Sequence, residues 1–302
     1  MKMSDGYHEP VLLSECIEAL KIEPNGIYVD LTFGGGGHSR AILEELDESG
    51  RLIGFDQDEN AASNTPDDAR FSLMPANFRF FGRFLNFLGL EKVDGILADL
   101  GVSSHQIDVP ERGFSYRFDG PLDMRMNNEL KVDARQVLME KDAIELQRIF
   151  GQYGEIRNSR TLAEWIVKNR KPHLLNSSGD MVKLVEPIIR GDRKRYLSQL
   201  FQALRIEVNQ EMDALEEMLS QIEMHLKPGG RAVMMSYHSL EDRMVKNLFR
   251  AGNVRGELNK NAFGVVQTPF RIISKKPIIP SAEEIRRNPR SRSAKLRIAE
   301  RI

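Results

Sequence analysis

Short apolar runs alternate with helix-period stretches through the first hundred residues. Ile27-Tyr28-Val29-Asp30-Leu31 is β-branched and aromatic and runs into a glycine cluster, the pattern of a buried strand. His38 to Leu46 has helical spacing, and Arg51-Leu52-Ile53-Gly54-Phe55-Asp56 is a second strand that ends in an acid. Phe71 to Met74 is a shorter third strand and Val93 to Leu100 a fourth. Strand–helix alternation of this kind predicts an α/β fold with a parallel sheet covered by helices on both faces.

The next comparable strand, Arg231 to Ser236, follows Lys227-Pro228-Gly229-Gly230, which reads as a helix stop and a turn. The stretch from Asp99 to Gly230 far exceeds the about 30 residues of a complete strand–helix–strand unit. It must therefore carry structure of its own. Residues 133–170 place Val137, Leu138, Ile144, Leu146, Ile149, Leu162, Ile166 and Val167 at helix-like intervals. Leu204, Val208, Met212, Leu215, Leu219, Ile222 and Leu226 form one stripe, predicting a single amphipathic helix from Phe201 to Leu226. The expected organisation is a core at 1–107, a helical insertion at 108–200, and the second part of the core at 201–302. Gly264 to Gln267 and Phe270 to Ser274 flank Thr268-Pro269 and predict a terminal hairpin, with a polar basic tail after Pro280.

Composition narrows the class. The 302 residues are 41% hydrophobic and 29% charged, as in a globular protein able to bury a core without staples. No apolar run approaches the about 20 residues of a membrane span, and the first residues lack the apolar centre of a signal peptide. The single cysteine, Cys16, excludes an internal disulfide and cysteine-rich metal sites, and no metal is expected. A reducing cytoplasm is the expected compartment. The net charge of −1 hides basic blocks at Arg190, Arg193, Lys194 and Arg195, and from Arg286 to Arg301. They suit either a solvated surface or a polyanion on one face.

Candidate chemistry lies at the ends of the predicted strands. Asp30-Leu31-Thr32-Phe33-Gly34-Gly35-Gly36-Gly37-His38-Ser39 puts four glycines before a helix N-terminus, which suits a carboxylate or a phosphate. Asp56 ends the next strand, where an acid accepts hydrogen bonds from ribose hydroxyls. Both NAD(P) and S-adenosylmethionine fit. Ser39 stands where the dinucleotide fingerprint has Gly or Ala, so that match is weak. Asp99 ends the fourth strand; an acid there either orients an exocyclic amine for methylation or braces its loop. His238, within Ser236-Tyr237-His238-Ser239-Leu240-Glu241-Asp242-Arg243, is either a proton acceptor or a structural histidine, and Tyr237 offers a ring for stacking. Cys16 is far in sequence from these strand ends, which disfavours covalent methylation at carbon and points to a nitrogen or oxygen acceptor.

Taken together, these blocks resemble a known family. They are His8-Glu9-Pro10-Val11-Leu12-Leu13, Thr32 to Arg40, Asp94 to Ser104 and Glu111 to Ser115, followed by Gly120 to Met126, Phe201 to Ile206, Ser236 to Arg243 and Asn288 to Ser293. In this order they resemble the bacterial ribosomal RNA small-subunit methyltransferase H (RsmH/MraW) family. The resemblance implies a class I, Rossmann-like, S-adenosylmethionine-dependent methyltransferase core with an inserted helical domain. It implies methylation of a cytosine N4 amine in the decoding centre of 16S ribosomal RNA, with the small ribosomal subunit as partner. Carried over by motif, the cofactor contacts would be Gly36, Gly37, His38, Asp56, Phe78, Asp99 and Gln106, and the catalytic candidates Asp99 and His238. Gly35 and His105 depart from the pattern, which favours a larger residue such as Arg and a Pro there. A dinucleotide oxidoreductase and a non-catalytic ribosome-assembly factor are the competing classes.

Overall fold

The computed structural model describes residues 10–302, with Leu174 described by its backbone alone. His8 and Glu9, which open the first motif block, lie outside the described residues. In chain order the elements begin α1 (Leu13–Leu20), β1 (Ile27–Asp30), α2 (Gly37–Glu45), β2 (Arg51–Phe55), β3 (Phe71–Met74), α3 (Phe81–Phe87) and β4 (Val93–Asp99). Then come α4 (Ser104–Asp108), α5 (Ala134–Glu140), α6 (Ala143–Gln152), α7 (Ser159–Asn169), α8 (Ser178–Val185) and α9 (Arg193–Asn209). The chain ends with α10 (Glu211–His225), β5 (Leu226–Ser236), α11 (Ser239–Ala251), β6 (Phe270–Ile272), α12 (Ala282–Arg287) and β7 (Lys295–Arg301). Two compact units result, Met1–Gly101 with Asp213–Ile302, and Val102–Met212.

The first unit is built on a seven-stranded sheet in the order β3-β2-β1-β4-β5-β7-β6. Strands β1 to β5 pair in parallel, and β7 runs antiparallel to both β5 and β6. This is an α/β, doubly wound arrangement with an antiparallel strand, β7, between β5 and β6. Its strand order reverses between β1 and β4, the place where doubly wound sheets open a crevice at their carboxyl ends. The central strands are apolar on both faces: Tyr28, Val29, Leu52, Phe55, Ile96, Leu97, Val233 and Met235 are all buried.

Three details of this unit differ from the expectation. Pro228 and Gly229 do not end a turn before β5 but form a bulge inside it: Val93 pairs with Leu226 and Gly95 with Arg231. The predicted hairpin between 264–267 and 270–274 does not form; Val266 bridges Lys260, and β6 pairs with β7 instead. The end of the supposed basic tail is thus a strand inside the sheet. Its alternation, with Leu296, Ile298 and Ala299 buried, is hidden in the sequence by the cations between them. Those cations are neutralised at close range: Asp242 holds Lys295 at 3.1 Å and Arg297 at 2.6 Å, and Glu223 holds Arg301 at 3.2 Å.

The second unit is helical. Its core joins Val137 and Leu138 of α5, Leu146 and Ile149 of α6, Leu162 and Ile166 of α7, Met181 of α8, and Leu197, Leu200 and Leu204 of α9. Ile144, whose spacing predicts a place in this core, is 79% exposed. The predicted helix over 201–226 is two helices, broken at Gln210, whose left-handed φ of 50° ends α9. The apolar stripe runs on through the break, so periodicity alone does not find it. The expected insertion at 108–200 corresponds to a unit at 102–212, because α9 packs with the helices before it. In the segment between α4 and α5, Phe114 is buried and Tyr116 packs on Phe201 with centroids 5.8 Å apart, whereas Phe118 is exposed.

Candidate active site

The site grows from the carboxyl ends of β1, β2, β4 and β5. After β1 the chain turns through Gly34 and Gly36, whose φ angles of 51° and 74° favour glycine. Gly37 is glycine for a packing reason, since a Cβ there would lie 2.2 Å from Pro10 Cγ. Among the described residues helix α2 starts with no side-chain cap at Gly36, whereas α4, α5, α6, α8 and α11 each close a capping box. Its first N–H groups and dipole therefore remain available to an anionic group.

Three carboxyl groups stand around this loop. Asp30 accepts from Thr32 N at 3.1 Å and from Ser39 Oγ at 2.7 Å. Ser39, the misfit to a dinucleotide fingerprint, is thus a small buried residue whose hydroxyl holds Asp30. Asp56 accepts from Gly34 N and Asp58 N, both at 2.8 Å, and so fixes the loop against the end of β2. Asp99 donates its backbone N–H to Thr32 Oγ1 at 2.6 Å, and its Oδ1 accepts the Tyr237 hydroxyl at 2.8 Å. Burial raises the pKa of all three, to about 6 for Asp56 and for Asp99, and the charge of Asp30 adds to both of these.

The remaining named residues have definite places. His38 is buried in the first turn of α2, with Nε2 3.2 Å from the Val11 carbonyl oxygen. Phe78 opens the turn after β3, where Asn77 Nδ2 donates to Gln57 Oε1 at 2.8 Å and ties that turn to the end of β2. His238 caps α11: its Nδ1 accepts from Glu241 N at 3.4 Å, and its buried Nε2 lies 3.1 Å from Glu241 Oε1. Gln106 belongs to the second unit, where it is buried and closes a capping box with Ser103. The first unit thus brings together Gly36, Gly37, His38, Asp56, Phe78, Asp99 and His238 on one edge of the sheet.

Sequence reasoning misses the Asp99–Tyr237 hydrogen bond and the role of Asp30. The acid at the end of β1, directly before the glycine loop, is the available signal for Asp30. It also misplaces Cys16, which is far in sequence but near the site, since the Asp99 charge bears on its thiol. Burial, then the charge of Asp99, raises that thiol's pKa well above its ordinary value. What disfavours a thiolate nucleophile is therefore burial, not distance.

The chain matches the MraW methylase family over residues 5–302. It belongs to that family. The ribosomal RNA small subunit methyltransferase H of Bacteroides fragilis is 54% identical over 296 residues, covering 98% of this chain and 97% of the relative. The protein of the same name from Parabacteroides distasonis is 51% identical over 298 residues, covering 98% of each. That of Flavobacterium johnsoniae is 50% identical over 297 residues, again covering 98% of each. As a member of the MraW methylase family the chain is an enzyme, and its methyl donor is S-adenosylmethionine.

The residues of this chain fit that donor. The uncapped start of α2 suits the carboxylate of its methionine portion, and Asp56 suits its ribose. Three buried carboxyls, with the charge of Asp30 bearing on both Asp56 and Asp99, favour a cationic sulfonium and oppose the pyrophosphate of a dinucleotide. Among the described residues no helix is long and apolar enough to cross a membrane.

Proposed function

We propose that this protein transfers a methyl group to the exocyclic N4 amine of one cytosine in the decoding centre of 16S ribosomal RNA. The substrate is the small ribosomal subunit, and the compartment is the cytoplasm, where that subunit is assembled. The donor would be held by Gly36, Gly37, His38, Asp56 and Phe78. Bound there, S-adenosylmethionine supplies an electrophilic methyl group.

The observation that carries the acceptor chemistry is Asp99. Its Oδ1 is held by Tyr237, and its Oδ2 has no hydrogen-bond partner among the described residues. A cytosine amine is a poor nucleophile because its lone pair is delocalised into the ring. A carboxylate that accepts its N–H groups favours the pyramidal nitrogen needed for attack. With a pKa of about 6, Asp99 is ionised at neutral pH yet basic enough to receive the proton the amine releases. No covalent catalyst is required, only orientation and a proton acceptor. The exposed Arg190, Lys194 and Arg195 and the Arg290–Arg292 segment supply charge for RNA phosphates.

The test is incubation with labelled donor and undermethylated small subunits, followed by nucleoside digestion. Label is expected in N4-methylcytidine, and Asp99→Asn should lower the rate by about 10²-fold or more while the protein still binds donor. Label on another base or at a ring carbon would remove the proposal.

A further inference from the structure

Beside the Asp99–Tyr237 pair, the first unit holds a cavity that none of the roles above uses. It measures about 240 Å³ and is lined by Tyr237, His238, Pro280, Ile285, Arg292 and Lys295 among others. Its position at the carboxyl end of β5 follows from Tyr237 and His238, which leave that strand. Its far wall is tied down from two sides. Ile278 and Leu296 exchange two backbone hydrogen bonds of 2.9 Å, and Glu284 Oε1 accepts from Leu12 N at 2.8 Å.

The lining has a distinct chemistry. Tyr237, Pro280 and Ile285 offer aromatic and apolar surface, and among the described residues no carboxylate lines the cavity. It therefore does not suit a sulfonium cation, which separates it from the donor crevice and its three acids. Lys295 Nζ lies 3.1 Å from Asp242 Oδ2, so its charge is compensated. Arg292 is exposed and has no hydrogen-bond or ion-pair partner among the described residues. An unpaired guanidinium takes a phosphate in a fork, and an aromatic face takes a base. The volume lies below the about 300–1,000 Å³ typical of drug-sized ligands, which favours a single small ring over an extended strand. Tyr237 joins this cavity to the chemistry, since it lines the wall while its hydroxyl holds Asp99.

We propose that this cavity seats one unstacked pyrimidine nucleotide of the RNA, with its base against Tyr237 and its phosphate on Arg292. The inference rests on the reading of the protein as an RNA methylase and names the seat of its substrate. Extruding a base from a structured RNA costs stacking energy, and a shaped pocket with a phosphate anchor offsets that cost.

Cytidine 5′-monophosphate is the probe, titrated into the full chain by NMR, with donor affinity measured separately by calorimetry. Saturable binding to the wild type is expected. Arg292→Ala, which changes an exposed residue, and Ile285→Trp, which fills the cavity, should each weaken it at least about tenfold, the scale of one charge-assisted hydrogen bond. Donor affinity should be unchanged in both, and KM for undermethylated small subunits should rise. Absence of saturable binding, or binding that survives both substitutions, overturns the assignment. Equal affinity for guanosine 5′-monophosphate overturns the preference for a pyrimidine. If the nucleotide binds as expected but subunits receive no methyl group, the seat stands and the ribosomal substrate fails. If subunits are methylated with unaltered KM in both variants, the seat fails and the substrate stands.

Discussion

Asp99 combines two environments on one side chain. Burial opposes its charge, while the Tyr237 hydroxyl stabilises it and fixes the carboxyl plane. The net result is a carboxyl that titrates near pH 6 instead of near its ordinary 3.8. A folded-state pKa above the unfolded value means that ionisation costs stability as pH rises through about 6. Asp99→Asn keeps an acceptor for Tyr237 and removes the charge. The variant should therefore gain stability over the wild type as pH rises from about 4 to 7, by up to roughly 3 kcal/mol, and hold that gain at higher pH. Urea unfolding at several pH values measures the difference; a pH-independent gap would assign Asp99 an ordinary pKa. Such a trade of stability for activity is expected where a carboxylate must be kept dry and ready.

At the scale of elements, β7 and the segment before it divide the basic C-terminal region into two kinds of cation. Arg297 lies on β7 and is mostly buried against Asp242, whose own carboxyl is shielded from solvent to a similar degree. Arg292 lies outside the strand, exposed at the cavity rim. Arg297→Ala leaves Asp242 with Lys295 alone and should cost about 1–3 kcal/mol of stability, read by chemical denaturation. Arg292→Ala should leave stability unchanged within the error of the same measurement, so equal losses would mean that both cations are structural. Charge patterning along the sequence does not separate them. The distinction depends on α11, which carries Asp242 to the side of β7.

For the whole molecule, the relevant quantity is the sum of basic groups that remain unpaired. Net charge is −1, yet cations cluster at Arg190–Arg195 and in the C-terminal segment while many acids are consumed in internal pairs. Arg193 is itself held by Glu186 at 2.9 Å, which leaves Arg190, Lys194 and Arg195 as the members of the first cluster without an ion pair among the described residues. RNA affinity should fall as salt rises. Replacing Arg190 and Arg195 with Gln should flatten the log–log slope by about 0.7 for each phosphate that is no longer neutralised, without changing donor affinity. Filter binding across a salt series measures the slope, and an unaltered slope would return this cluster to a solvated face.

The local signals in the sequence are sufficient for β1 to β4, the glycine loop, Asp56 and Asp99, because strand period, turn chemistry and an acid at a strand end are set by neighbours along the chain. The helical character of the second unit is legible for the same reason. The tertiary structure alone decides where that unit ends, since the stripe over Leu204 to Leu226 continues through the left-handed break at Gln210. It alone puts β7 between β5 and β6, because that pairing joins residues far apart in the chain and its alternation is hidden among arginines. It also brings Tyr237 to Asp99 and Cys16 to the site, contacts across more than a hundred residues of sequence or from helix to sheet edge. Periodicity and motifs report what each segment does with its own neighbours, whereas the partners of a buried charge are chosen by the packing of distant segments.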